Sequence, residues 1–470
     1  MWFYDFGAGP NGLMANSKHP VLLRPGSGPF YEGTAARFID SIPTATGDDL
    51  ERLFGLPQAT IITDKNDFAP RLGIAYSMDS KTTIRAGVGV FFAQDVTNAA
   101  QSAMGENNAG RANVTTNSQT IDLDIARPLA NYAGDGVCTG WSGICQGPGS
   151  RLYLVDPLRR TPYTIQYMLN IQRQLTGSTL FEIGYQGNEA HKLGFFDKKN
   201  EPVFRTGPQD GRSLQERRPW TDIGQMQFVG SVGNSNYHSL IAKVTRRFAG
   251  GLTYLGAFTW SKVIDAPGSG LRTTLTNNDP MDWYNYKNSR GLAEFHTGRR
   301  LVTSLVYELP FAKNSSGALK AIAGGWQAGS IFTLVDGTPA NVGQIGDLAQ
   351  IELSSSPDAT GISPFLENPT AAHFWNRDAF NWTNPELQYR YGNAGRSILF
   401  TPGTFSWDFS MIKNTRISER HSLEFRFEAF NFPNHPNWNL PARDPRQTNF
   451  GEITTAKTMR EMQLGLKYSF

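Results

Sequence analysis

Hydrophobic and polar side chains alternate along many short stretches of this chain. In residues 162–175, Tyr163, Ile165 and Leu169 are separated by hydroxyl and amide side chains, and residues 179–187 repeat the alternation after a short turn. Successive side chains of a β-strand point to opposite faces, whereas helical faces repeat every three to four residues. The pattern therefore predicts a β-hairpin with one apolar and one polar face.

The same hairpin pattern recurs as far as the carboxyl end. Comparable stretches lie at residues 71–92, 240–261, 299–335, 405–429 and 462–470. Together they predict about eleven strands of about 9–12 residues each, and the amino end could add a twelfth. Strands of this length suit a tilted crossing of a membrane.

The connections between these strands alternate in length. Turns inside the hairpins are short, whereas the connections from one hairpin to the next are long and rich in Gly, Pro, Asn, Asp and Thr. The long connections are residues 93–161, 189–236, 264–298, 336–404 and 432–457. Compact soluble domains rarely contain such long irregular segments. The chain is therefore predicted to be all-β, an antiparallel up-and-down transmembrane β-barrel with short periplasmic turns and long extracellular loops. It would hold about 11–14 strands of a larger barrel.

The polar faces carry charged side chains in the middle of the predicted strands. The candidate lumen-facing charges are Lys243, Arg247, Glu424, Arg426 and Glu428. Two glutamates four residues apart could perform acid–base chemistry. Because Arg426 lies between them and would keep both ionised, we favour a charge ladder along a wet lumen.

Aromatic residues cluster at both ends of the apolar faces. They are Phe92, Tyr163, Trp260 and Trp407 at the loop end, and Phe248, Phe311 and Phe470 at the turn end. Two such girdles are typical of a barrel in a membrane. A soluble β-sandwich is the alternative, because its strands also have one apolar face.

Composition agrees with a strand-rich membrane protein. The 470 residues include 48 Gly, 30 Phe and 16 Tyr, and the formal net charge is only +3. Since no basic cluster occurs, no nucleic-acid partner is expected. Residues 1–66 form a poorly defined loop or strand segment of the same barrel, and residues 67–470 hold the recognisable strands. The first ten residues do not resemble a signal peptide, so we expect that peptide to be absent from this chain.

No sequence motif supports an enzyme, a cofactor or a metal site. Gly7, Gly9 and Gly12 match a dinucleotide-binding fingerprint, but only six residues precede them, Pro20 soon interrupts and no helix pattern follows, which favours a turn. The seven histidines lack metal-ligand spacing, and no nucleophile elbow occurs. Cys138 and Cys145 lie in one Gly-rich loop, where they are either a small disulfide or two unrelated thiols.

Several segments resemble the carboxyl-terminal barrel of TonB-dependent outer-membrane receptors, in particular the Oar-like group. They include TPYTIQYMLNIQRQL, GLTYLGAFTWSKVID, GGWQAGSIFTLVDGTP, WDFSMIKNTRISERHSLEFRFEAFNFPNHPNW and the final LGLKYSF. The resemblance implies a barrel of about 22 strands with a plug in its lumen. We expect the plug and an amino-terminal regulatory-like domain to be absent here. The resemblance also implies that the barrel-assembly machinery reads a signal formed by Leu464, Leu466, Tyr468 and Phe470.

These observations predict a receptor or transporter barrel in the cell outer membrane, for TonB-energised uptake or surface binding of an unidentified substrate. The expected partners are outer-membrane lipid, the barrel-assembly machinery and, through a missing amino-terminal part, TonB. A structural or adhesive surface protein and a secreted carbohydrate-binding β protein are the alternatives. The loop aromatics Trp141, Trp283, Tyr284, Trp375 and Trp382 could stack on a flat ligand, although packing within the loops is favoured.

Overall fold

A computed structural model of the chain describes most of its carboxyl-terminal two thirds. The described residues are 64–93, 160–219, 221, 226–266, 285–312, 314–352 and 355–470, with the short strands Trp2–Tyr4, Pro20–Arg24, Thr44–Thr46 and Leu152–Val155. Cys138 and Cys145 lie outside the described residues, as do Trp141, Trp283 and Tyr284.

Eleven strands form one antiparallel sheet in which each strand pairs with its neighbours in the chain. They are β1 (Arg71–Ser77), β2 (Thr82–Phe92), β3 (Tyr163–Thr176), β4 (Thr179–Lys199), β5 (Met226–Ala249), β6 (Leu252–Asp265), β7 (Arg299–Glu308), β8 (Trp326–Val335), β9 (Thr404–Arg416), β10 (Ser422–Phe430) and β11 (Glu461–Ser469). The up-and-down order confirms the predicted fold class. Within the described residues β1 and β11 each pair on one side only, so the sheet is not closed.

Short turns and long loops alternate along the sheet, as predicted. The turn between β5 and β6 consists of Gly250 and Gly251, whose positive φ angles of 62° and 84° glycine adopts without strain. The connection from β7 to β8 contains the only α-helix of the described residues, α1 (Gly317–Ala323). No helix in the described part of the chain is long and apolar enough to span a membrane.

The register keeps the apolar side chains of neighbouring strands together on one face. Phe427 lies opposite Met411 on one side and Leu464 on the other, and Phe425 lies opposite Leu466. Leu464 and Leu466 are 72% and 71% exposed, and no second sheet or helix covers them in the described residues. Among the described residues this apolar face is therefore not buried as it would be in a β-sandwich.

Two strands are much longer than the 9–12 residues that the sequence pattern predicts. β4 has 21 residues and β5 has 24, and they stay paired as far as Lys199 and Met226 beyond an irregularity near Leu193. The predicted loop at 189–236 is therefore partly strand. The strict apolar alternation of the sequence ends before this extension, so the pattern did not predict it.

The long loops that follow β4, β8 and β10 fold together into a cap, formed by residues 200–219, 336–403 and 431–460. Its hydrophobic core contains Ala340, Val342, Trp375, Ala379, Phe380, Ala394, Leu399 and Phe450. Short elements support this core: strands Pro339–Ala340 with Leu399–Phe400 and Asp358–Ala359 with Phe380–Asn381, and 3-10 helices Gln215–Arg217, Arg377–Ala379 and Pro385–Gln388. The cap is thus a packed structure rather than a set of irregular loops.

One further loop, residues 285–298, packs against the loop end of β6. It contains the 3-10 helix Tyr286–Ser289 and the strand Gly291–Leu292, which pairs with Ile264 and Asp265. His296 is buried there and accepts a hydrogen bond from the backbone N–H of Val263 at 3.3 Å. Burial, followed by the nearby Lys262 ammonium, lowers the pKa of His296, so its imidazole stays neutral near neutral pH.

Candidate functional site: the polar face of the sheet and the loop cap

An ion pair joins two neighbouring strands on the polar face. The Lys243 ammonium on β5 donates a hydrogen bond to Glu182 on β4, with 3.2 Å between Nζ and Oε1. The Gln172 amide on β3 donates to the other oxygen of the same carboxylate at 3.0 Å. These three residues lie opposite one another in the register, so the contact fixes charge on one face across three strands.

A second charged group lies near the carboxyl end of the chain. Arg426 on β10 forms ion pairs with Glu424 at 2.8 Å and with Glu428 at 3.7 Å. Glu428 also accepts a hydrogen bond from the side chain of Gln463 on β11. The register places this group on the same face of the sheet as Lys243. Four of the five candidate lumen charges therefore lie on one face in two groups.

Arg247 belongs to neither charged group. It lies at the turn end of β5, where a β-bulge sets Arg247 and Phe248 opposite a single residue of β6. Its backbone N–H donates to the backbone carbonyl of Ser178 at 2.9 Å, and its side chain is exposed. The bulge breaks the alternation that the sequence pattern assumes, so the face of Arg247 cannot be read from its spacing alone.

A groove of about 540 Å³ lies on this face over β1 to β5. Its lining includes Arg71, Phe91, Gln166, Asn188 and Tyr237. The Arg71 guanidinium lies 4.4 Å from the centre of the Phe91 ring, which positions both groups at the groove wall. Amide groups that both donate and accept, next to aromatic rings, suit a ligand with many hydroxyl or amide groups.

A second groove of about 220 Å³ continues from the first towards the turns. It is lined by Arg85, Asn170 and the Lys243–Glu182 ion pair, and it shares Met168 and Gln186 with the larger groove. The two grooves adjoin at these shared residues, and we call them together the polar track because amide and charged side chains follow one another along it. The alternation of apolar and polar residues predicted the polar face. The sequence did not predict the track itself, because nothing in the pattern marks the glycines that line it, such as Gly87 and Gly184.

Buried arginines join two parts of the cap, the loop between β4 and β5 and the loop after β8. Arg217 is 1% exposed, and its guanidinium donates to the backbone carbonyls of Val203 at 2.9 Å, Ala349 at 3.4 Å and Gln350. Burial and the neighbouring Arg205 lower the pKa of Arg217 from its usual value, although it stays charged at any ordinary pH. One side chain thus ties residues that are more than a hundred positions apart.

A second arginine strengthens the same contact. Arg218 forms an ion pair with Glu352 at 2.7 Å and donates to the carbonyl of Asn200 at 2.7 Å. Phe204 packs edge-on against Tyr391 with 4.7 Å between ring centres. Sequence reasoning missed this lock, because no local periodicity links residues 200–219 to residues 345–352.

The loop aromatics that the structure describes serve packing, as favoured from the sequence. Trp375 is buried in the core of the cap, and its indole N–H donates to the carbonyl of Phe400 at 3.0 Å. The Trp382 ring lies 4.6 Å from the guanidinium carbon of Arg377. No group of three or more His, Cys, Asp or Glu side chains suited to a metal ion occurs among the described residues.

A family comparison decides what kind of protein has this sheet. A model of the outer membrane beta barrel domain matches residues 21–463. The chain belongs to the outer membrane β-barrel family. It is therefore an outer-membrane protein, and its uncovered apolar face is the face that meets lipid.

Solved transporter structures are similar to this barrel at low identity. YddB from Escherichia coli matches with 10% identity and a TM-score of 0.45, over 85% of this chain and 40% of YddB. FpvA from P. aeruginosa matches with 8% identity and a TM-score of 0.39, over 87% and 33%. The FrpB iron transporter from Neisseria meningitidis matches with 11% identity and a TM-score of 0.40, over 85% and 39%. The chain spans 40% or less of these proteins. No curated protein sequence matches it.

Proposed function

We propose that this chain is the barrel part of an outer-membrane receptor that takes up a polar substrate with energy from TonB. The observation that carries the proposal is the polar track, which runs along one face of a membrane sheet. A track that holds fixed charges and amides offers hydrogen bonds at many depths to a substrate moving along it. The sequence segments that resemble TonB-dependent receptors support the same function.

In this proposal the charged groups line the lumen. The Lys243–Glu182 pair and Arg426 with its two glutamates hold charge inside a wet space, where water offsets most of its desolvation cost. TonB would act through a part of the protein outside this chain. The barrel-assembly machinery would bind the last strand through Leu464, Leu466, Tyr468 and Phe470, because an unpaired strand edge is a template for β-augmentation.

A structural or adhesive surface protein is the second candidate, and the packed cap favours it. A cap with its own hydrophobic core presents a rigid surface to other cells or to a matrix. Such a protein would use the outer surface of the cap and would need neither the polar track nor TonB.

Solute depletion by living cells distinguishes these functions. The source bacterium, a strain lacking the gene and a strain lacking TonB are incubated with a defined mixture of oligosaccharides, peptides and ferric chelates, and the remaining solutes are quantified by mass spectrometry. We expect at least one solute to be consumed by the first strain only. If all three strains consume every solute equally while the protein is present at the surface, the uptake function is wrong.

A further inference from the structure

The loop end of β6 pairs with a loop rather than with a strand. β7 pairs with β6 only as far as Trp260, and beyond that point residues 291–298, here called the edge loop, run along the same edge. The backbone N–H of Ser261 donates to the carbonyl of Gly298 at 2.8 Å, and the Ser261 hydroxyl donates to the carbonyl of Thr297 at 2.7 Å. The edge loop thus replaces a neighbouring strand at this end of the sheet.

An imidazole takes the place of one backbone acceptor in this pairing. Nδ1 of His296 accepts a hydrogen bond from the backbone N–H of Val263 at 3.3 Å. The His296 side chain is buried, with 6% of the residue exposed, and its backbone N–H donates to the carbonyl of Ala293 at 2.9 Å. Because a backbone N–H can only donate, Nδ1 carries no proton and the neutral ring carries its proton on Nε2. A proton on Nδ1 would set two N–H groups against each other.

The charged groups around His296 do not compensate for an added proton. Lys262 on β6 repels a second positive charge. Asp336, which follows β8, attracts a protonated ring, but its carboxylate already accepts two hydrogen bonds from Arg299 of β7, at 2.9 and 3.2 Å. Burial is the largest effect, and together with Lys262 it lowers the pKa of His296 below its ordinary value of 6.5.

The edge loop also holds the contact between the cap and β6. Arg396 of the cap forms a buried ion pair with Asp265 of β6, with 2.5 Å between the two side chains. Gly291 of the edge loop pairs with Asp265, and a Cβ at Gly291 would come within 3.1 Å of the Arg396 carbonyl oxygen. Burial lowers the pKa of Arg443 in the cap, and the Glu294 carboxylate of the edge loop opposes this effect. The cap therefore contacts β6 through residues that the edge loop keeps in place.

We propose that His296 is an acid-sensitive latch that releases the edge loop, and with it the cap, from β6. At neutral pH the uncharged ring accepts from Val263 and stays buried. Binding of one proton from water turns Nδ1 into a donor, breaks this hydrogen bond and places a charge in a buried site, so the ring moves into water and the edge loop detaches. The cap stays joined to the strands that flank it in the chain, and its contact along β6 is lost.

The pH range of the latch follows from the pKa of His296 in the two states. In the released loop the ring has its ordinary pKa of 6.5, and in the attached loop its pKa is lower. The neutral ring therefore stabilises the attached loop fully above about pH 6.5, and this stabilisation is lost as the pH falls to the folded-state pKa. Within that range the equilibrium constant for opening rises about tenfold for each pH unit.

Hydrogen exchange of the complete gene product in lipid vesicles tests the latch. Exchange of residues 291–298 is measured at pH 7.5 and pH 5 and corrected for its intrinsic pH dependence. In the unaltered protein we expect the corrected exchange to become about fivefold faster or more at pH 5, while residues 252–259 of β6 keep their protection. Equal corrected exchange of the edge loop at the two pH values overturns the proposal, and this comparison needs no variant to fold.

The cap provides a second readout in the same experiment. Residues 394–398, which contain the partner of Asp265, should exchange faster at pH 5 together with the edge loop. If the edge loop opens while residues 394–398 stay protected, the latch does not release the cap.

A pair of histidine variants assigns the response to one ring. His296→Asn removes the titrating group but keeps an acceptor, because the Oδ1 atom of asparagine can occupy the position of Nδ1. Its edge loop should exchange at the same corrected rate at both pH values. His373→Asn is the matched control, since it removes an exposed histidine from the cap, and it should respond to acid as the unaltered protein does. If His296→Asn responds to acid as strongly as this control, His296 is not the latch.

Discussion

Single glycines decide how aromatic rings lie on the outer face of the sheet. Tyr167 lies opposite Gly187, and its ring crosses the glycine so closely that a Cβ there would come within 2.1 Å. From this position the Tyr167 hydroxyl lies 3.2 Å from Glu189. An aromatic ring laid over a strand glycine stabilises the pairing of the two strands.

Replacing Gly187 with Ala should therefore destabilise the barrel. The new methyl group forces the Tyr167 ring to move, which we expect to cost about 1–3 kcal/mol of unfolding free energy. Urea unfolding of the complete protein in lipid vesicles measures this change. Gly73→Ala is the control, because a Cβ at Gly73 meets nothing within 4 Å. Equal stability of the two variants would show that the ring does not occupy this position.

Asp358 makes the cap sensitive to acid. Hydrogen bonds from Arg390 lower the pKa of Asp358 below its usual value of 3.8, against the opposing effect of burial. Asn384 and the backbone N–H of Asn393 also donate to this carboxylate, at 2.7 and 3.1 Å. Because the pKa of Asp358 is lower in the folded than in the unfolded protein, its ionised form stabilises the fold at any pH above the unfolded-state pKa. This stabilisation is lost as the pH falls through the folded-state pKa.

The cap of the unaltered protein should thus loosen below about pH 4, whereas Asp358→Asn should be looser already at pH 7 and change less with acid. Hydrogen exchange at the Asn393 amide, corrected for its intrinsic pH dependence, reports this opening. If the exchange rate of Asp358→Asn depends on pH as it does in the unaltered protein, a group other than Asp358 controls the opening of the cap.

At the scale of elements, alternation of apolar and polar residues predicts every strand that meets lipid. It predicts β9 and β10, for example, because Phe405 to Met411 and Leu423 to Phe427 follow a strict period of two. It misses the ends of β4 and β5 that lie towards their connecting loop, where the sequence does not alternate strictly. It also misses the cap, whose core joins residues as far apart as Ala340 and Phe450.

The loop between β4 and β5 should loosen from the rest of the cap when Arg217 is lost. Arg217→Ala leaves the carbonyl groups of Val203, Ala349 and Gln350 without this donor, which costs about 1–3 kcal/mol for each group that water cannot reach. Hydrogen exchange of residues 345–352 should become faster while the strands keep their protection. Arg212→Ala is the control, because Arg212 bonds to Asp210 on the surface at 2.7 Å. If residues 345–352 are equally protected from hydrogen exchange in both variants, Arg217 does not hold these residues in place.

The last strand offers a separate test of the proposed assembly signal. Phe470 is 91% exposed and stacks on Tyr468, with 5.8 Å between ring centres. Because it makes little contact with the rest of the barrel, its deletion should spare stability yet lower the amount of complete protein in the outer membrane. Immunoblots of membrane fractions measure that amount, with Arg420→Gln as the control. An unchanged amount would count against the signal.

At the scale of the whole molecule, the sheet is part of a cylinder. β1 and β11 run in the same direction because ten antiparallel pairings separate them. Closure into an antiparallel barrel therefore requires an odd number of additional strands between them. Two copies in the same membrane orientation would have to pair β11 with β1 in parallel, which this class of barrel does not use.

The central claim is that each strand has one side in lipid and the other in water. Spin labels at Leu464→Cys and Gln463→Cys test it directly, in complete protein whose Cys138 and Cys145 are replaced by Ser and which is reconstituted in vesicles. We expect the label at 464 to collide mainly with oxygen, which concentrates in lipid, and the label at 463 to collide mainly with a water-soluble nickel chelate. Similar accessibility at both positions, or the reverse order, would contradict the account.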